Sequence, residues 1–125
     1  MGVLSAIVID CHDAPDLARF WASVIDGYAI RPYDDAEIAR LAALGLTPDT
    51  DPTVAVDGPG PTLFFQEVPE QKISKNRLHL DIDVSDRLAA AERLTAMGAT
   101  LIRHHDTWTV LQDPEQNEFC LCDLR

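Results

Sequence analysis

The sequence predicts an α+β fold in which two βαβββ modules form a curved, mostly antiparallel sheet. Three observations carry that prediction. Short apolar runs alternate with polar residues at the period of strands, and two longer stretches repeat their apolar residues at the period of helices. The order of one strand, one helix and three strands then occurs twice along the chain. At 125 residues with 46% hydrophobic side chains, the chain has the size and apolar content of one domain, residues 1–125.

Module one spans about residues 3–68. Residues 3–10, VLSAIVID, form a β-branched run. CHDAPDLARFWASVIDGY follows with the marks of a helix: Asp13 can cap its start and Pro15 suits the first turn. Leu17, Phe20, Trp21, Val24 and Ile25 recur at helical spacing, and Gly27 ends it. YAIRPY reads as a second strand. DDAEIARLAALGLTPDTDP then supplies a helical insert at about 34–45, built on Ile38, Leu41 and Ala42 and stopped by Gly45 and Pro48. TVAVDGPGPTLFFQEV reads as two strands joined by a Gly/Pro turn. That turn lacks the strand-to-helix setting of a phosphate loop, so no nucleotide site is indicated.

Module two spans about residues 76–124. In KNRLHLDIDV, strand alternation places His79, Asp81 and Asp83 on one face and Leu78, Leu80, Ile82 and Val84 on the other. The leucine face calls for a core, and the His/Asp face for water or a polar cavity. SDRLAAAERLTAMGA carries a helical stripe of Leu88, Ala91, Leu94 and Met97 that stops at Gly98. TLIRHH, WTVLQ and EFCLCDL complete three strands, with DPEQN as the turn between the last two. Pairing the strands that precede the two helices sets Ala6, Val8 and Asp10 against His79, Asp81 and Asp83, as expected of two modules about a pseudo-twofold axis.

The net charge of −11 repels phosphate backbones and anionic membranes, and no Lys/Arg stripe offsets it, which excludes nucleic acid as a partner class. No apolar run approaches the ~20 residues that span a bilayer, and MGVLSAIVID lacks the features of a signal peptide, so the expected address is the cytoplasm. Cys11, Cys120 and Cys122 are an odd, sparse set and read as thiols. Cys120 and Cys122 in FCLC are expected as small buried hydrophobes, with a His79-activated nucleophile as the functional alternative. His104, His105 and His12 read as solvated or capping residues near turns, because adjacent strand residues face opposite ways and cannot chelate one ion together.

The duplicated order, with LFFQEVPE, KNRLHLD and DPEQNEFC in sequence, resembles the vicinal oxygen chelate superfamily (glyoxalase/bleomycin resistance/dioxygenase) and, within it, the glyoxalase-like domains. The resemblance covers nearly the whole chain. It implies a sheet that encloses a cup with the helices outside, a homodimer, and a small organic molecule as partner. It further implies two metal ligands from each module, at positions that fall here on Ala6, Gln66, His79 and Cys120. Ala6 cannot ligate, which leaves Gln66, His79 and Cys120 as the metal set, and a His/Cys pair suits zinc better than magnesium. The implied catalytic residues are His79 and Asp81, the latter accepting the imidazole N–H. Asp10, Phe64, Gln66, Trp108, Glu118 and Cys120 are expected to line the pocket, with Glu118 able to stand in for Cys120 as a ligand. The expected activity is that of a metal-assisted lyase or isomerase. A non-catalytic drug-sequestering protein and a structural or regulatory domain remain the alternatives.

Overall fold

The structure, a computed structural model, describes residues 1–124. The chain forms two compact units, the first ending at Gln71 and the second beginning at Lys72. Hydrogen bonding gives each unit its own four-stranded mixed sheet, and each sheet has one parallel and two antiparallel pairings. Among the described residues no helix is long and apolar enough to cross a membrane.

The first unit runs β1 (Ala6–Cys11), α1 (Ala14–Val24), β2 (Ala29–Ile30), α2 (Asp35–Ala43), a 3-10 turn (Pro48–Thr50), β3 (Thr53–Asp57) and β4 (Thr62–Glu67), with strand order β1-β4-β3-β2. Asp13 caps α1, its carboxylate accepting the Asp16 backbone N–H at 3.0 Å. The helix buries Leu17, Ala18, Phe20 and Trp21 against the strand face that carries Val54, Val56, Leu63 and Phe65. Because side chains alternate, Phe64 and Gln66 point away from that helix. Gly58 and Gly60 in the DGPGP turn lie against Tyr28: a Cβ at Gly58 would come within 2.3 Å of the ring, and the Tyr28 hydroxyl donates to the Pro61 carbonyl at 3.0 Å. The glycines are there to admit an aromatic ring.

The second unit runs β5 (Leu80–Val84), α3 (Arg87–Ala96), β6 (Thr100–His104), β7 (Trp108–Gln112) and β8 (Glu118–Asp123), in the order β5-β8-β7-β6. Asp86 caps α3 by accepting the Ala89 N–H at 3.1 Å. Ala91 and Leu94 face a core with Leu111, Phe119 and Leu121. The β7–β8 turn is organised by Asp113, which is 2% exposed and accepts from Glu115 N–H, Asn117 N–H and the Asn117 side-chain amide at 2.8–3.0 Å.

Several boundaries differ from the sequence expectation. β1 begins at Ala6 rather than residue 3, and β2 is two residues long because it pairs only with Asp57 and Val56 of β3. In α2 only Leu41 is buried; Ile38 stays on the surface. Along α3 the stripe narrows to Ala91 and Leu94, since Leu88 and Met97 at the helix ends extend past the core and remain exposed. The strand that begins module two starts at Leu80, after His79, and Leu78, which lies ahead of the β5–β8 ladder, is exposed.

Candidate functional site

Alternation along β8 builds the site. Phe119 and Leu121 turn to the core, so Glu118, Cys120 and Cys122 face the opposite way. In-register partners share a face: Asp81 of β5 sits opposite Cys120, and Trp108 of β7 opposite Cys122. His79, one residue ahead of β5, carries its Nε2 to 3.3 Å from Asp81 Oδ1. One ligand atom each from His79, Asp81 and Cys120 all lie within 4.8 Å of one another. These three, with Trp108, Cys122, Thr107 and the β8 end at Asp123 and Leu124, surround a pocket of about 560 Å³. That size falls in the range of small-molecule sites.

Two sets of contacts hold the walls. On one side, Trp108 stacks on His105 with ring centroids 4.3 Å apart and planes 12° from parallel. Arg87, whose side chain is 12% exposed, ties this rim together. It donates to Asp123 (2.8 Å), to the His105 and Asp106 carbonyls (3.0 and 2.6 Å) and to the Thr109 hydroxyl (2.9 Å). That hydroxyl also meets His104 Nδ1 at 2.8 Å; His104 is the exposed last residue of β6 rather than part of the turn. On the other side, Glu118 accepts the Asn76 backbone N–H at 3.0 Å and the Lys72 ammonium at 3.3 Å, and its own carbonyl accepts from the Asn76 side chain at 3.2 Å. Burial alone would raise the Glu118 pKa, but these donors together hold it below the ordinary carboxylate range.

The Cys120 thiol is pushed above its usual pKa, first by burial and then by the negative charge of Asp81. A protonated thiol is a poor nucleophile, so His79-activated thiol chemistry gains no support from this environment. Cys120 and Cys122 are half-buried cysteines outside any disulfide, not the fully buried hydrophobes expected of FCLC, because their side of β8 is the open one; Cys11 is the buried one of the three.

The sequence-predicted residues fall into two groups. His79, Asp81, Trp108 and Cys120 come together around the pocket of the second unit, while Glu118 directs its carboxylate to Lys72 and Asn76. Asp10, Phe64 and Gln66 belong to the first unit. There Asp10 pairs in register with Gln66 on the face of the sheet away from α1, and Arg31 lies over the Phe64 ring at 5.6 Å while bonding Asp57. Ala6, the position that cannot ligate, pairs with Thr62. Sequence reasoning passed over Cys122, Thr107, Asp123, Leu124 and Arg87. The Cys-x-Cys spacing already placed Cys122 beside Cys120, whereas nothing local marks Arg87, whose partners lie 18 to 36 residues away.

Two βαβββ units with a parallel pair in each sheet, and a His/Asp/Cys cluster on an open sheet face, define a protein of the vicinal oxygen chelate architecture. The chain belongs to the glyoxalase-like domain family, whose profile matches residues 6–122. No curated protein matches it. Among solved structures it is similar to a glyoxalase/bleomycin resistance protein/dioxygenase family enzyme from Burkholderia phytofirmans PsJN, at 19% identity over 99% of this chain and 100% of that one, TM-score 0.68. It is also similar to the fosfomycin resistance protein FosX of Listeria monocytogenes, at 15% identity over 100% and 93% of the two chains, TM-score 0.66. A mutant of that FosX, complexed with Mn(II) and 1S,2S-dihydroxypropylphosphonic acid, matches at 10% identity over 97% and 88%, TM-score 0.65. At these identities the likeness is one of fold.

Proposed function

We propose that this chain binds a small organic molecule in the pocket of its second unit, next to a zinc ion held by His79, Asp81 and Cys120. The observation that carries the reading is the approach of an imidazole nitrogen, a carboxylate oxygen and a thiol sulfur to within 4.8 Å of one another. Three protein ligands of this mixed type, with a fourth position for water or substrate, form the donor set of a catalytic zinc. Mn(II), present in the FosX mutant complex, prefers oxygen-rich surroundings, and the Cys120 thiol argues against it here. Gln66, placed in the ligand set by family resemblance, belongs to the first unit; the zinc reading rests on the second-unit donors alone.

When bound, zinc supplies positive charge that stabilises an enolate or similar oxyanion on a substrate with neighbouring oxygens. The remaining work falls to the chain itself. Trp108 and Leu124 offer the apolar surface on which an organic ligand packs, and the Trp108 ring is held in place by His105 and the Arg87 clamp. Asp81, whose Oδ1 lies 3.3 Å from His79 Nε2, shares the holding of the ion with that imidazole and with Cys120. A second reading, sequestration without turnover, is favoured by exposure: the side chains of His79 and Asp81 are 49% and 59% open, whereas catalysis gains from excluding water. A cytoplasmic address agrees with a sparse, odd set of three cysteines, and family resemblance supports a homodimer.

Zinc titration of protein purified without a His-tag tests the metal. About one equivalent should bind, and His79→Ala and Cys120→Ser should each weaken binding by more than about tenfold. Less than about a tenth of an equivalent in the wild type sinks the reading.

A further inference from the structure

We propose that Glu118 is a positioning residue that sets the affinity of the metal site, by tethering the segment that delivers His79. This inference rests on the zinc reading above. His79 precedes β5, so its backbone lies outside the strand ladder that fixes Asp81 opposite Cys120. Three residues earlier, Asn76 is bound twice to Glu118, through its backbone N–H to the carboxylate and through its side-chain amide to the Glu118 carbonyl. Lys72 bonds the other carboxylate oxygen, in a pair whose side chains are only 23% and 18% exposed.

Glu118 is two residues from Cys120 on the same strand face. One residue of β8 therefore fixes the approach of His79 relative to its co-ligand. From Asn76 to His79 the chain spans at most about 10 Å, so little slack remains once Asn76 is held. A ligand whose backbone is already ordered binds the ion without first losing that freedom. The carboxylate that sequence alone offered as a substitute ligand thus acts one step away from the metal.

Three variants and two measurements test the tether. Zinc affinity is measured by competition with a chromophoric chelator, and amide exchange of peptides covering residues 72–79 is followed in metal-free protein. Glu118→Ala should weaken zinc binding about tenfold and speed exchange at Asn76, with the circular dichroism spectrum retained. Glu118→Gln keeps an acceptor for the Asn76 N–H and should stay within about threefold of wild type; Lys72→Met, which removes only the ion pair, should do the same. If Glu118→Gln loses as much affinity as Glu118→Ala, the carboxylate is itself a ligand and the tether is wrong. Wild-type zinc binding left unchanged by Glu118→Ala also overturns the tether while sparing the metal reading. Absence of zinc binding in the wild type, with the Asn76 amide still protected through Glu118, overturns the metal reading instead.

Discussion

Cys120 shows how much a single residue's role depends on its neighbours. Alternation in EFCLCD places it with Cys122 and away from Phe119 and Leu121, and that much is readable from the sequence. Its chemistry is not, because the groups that act on the thiol come from elsewhere: Asp81 from another strand, and burial from the whole sheet. Both raise its pKa, so the thiolate fraction near neutral pH falls below that of a free cysteine. In metal-free protein, iodoacetamide labelling followed by mass spectrometry should modify Cys120 slowly at pH 7.5 and accelerate only as pH rises past the ordinary thiol range. Fast labelling at neutral pH would show that the thiol is activated. Glu118 carries the same lesson: its position on the strand face made it a candidate ligand, and only the arrival of Lys72 and Asn76 at its carboxylate gives it another task.

Among the elements, the helices were the most legible and the strand ends the least. Asp13 announces α1 because an N-cap is a local hydrogen bond between residues three apart, and Asp86 caps α3 in the same way, a role the sequence reading did not assign it. The start of β5 lies later than the alternation suggests because the pairing between strands sets it, and β5 first pairs with β8 at Leu80, opposite Phe119. The β6–β7 connection depends on a long-range device in the same way. Arg87 reaches from the first turn of α3 to the His105 and Asp106 carbonyls, to Thr109 and to Asp123, and so joins helix, turn and β8 in one clamp. Arg87→Ala should cost about 2–3 kcal/mol in urea denaturation, since it leaves several half-buried acceptors unpaired. Arg87→Lys should recover less than about half of that, because an ammonium cannot span the same acceptors as a planar guanidinium. A loss under about 0.5 kcal/mol would mean that the clamp holds nothing the sheet does not already hold.

For the whole molecule, the excess of acids is uneven along the chain. Up to Gln71 the bases are Arg19, Arg31 and Arg40, whereas Lys72, Lys75, Arg77, Arg87, Arg93, Arg103 and Arg125 follow it. A net charge of −11 in a folded chain of 125 residues implies self-repulsion that salt should relieve. Raising sodium chloride from about 0.02 M to about 0.2 M should lift Tm by on the order of 3 °C, and a fall would show that attractive ion pairs such as Arg31–Asp57 outweigh the repulsion. The sequence by itself determined the α+β class, the twofold repetition of βαβββ, the helices with the Asp13 cap of the first, and the placing of Asp81, Trp108 and Cys120 on the open face of their sheet. Those features follow from periodicities of two and 3.6 residues and from bonds between near neighbours, which a linear reading contains. Only the tertiary structure decided that His79, Asp81 and Cys120 converge, that Cys122 and Asp123 join their pocket, and that Glu118 and Arg87 brace it. Each of those outcomes depends on strand register or on a bond across tens of residues, and neither leaves a mark in the local pattern.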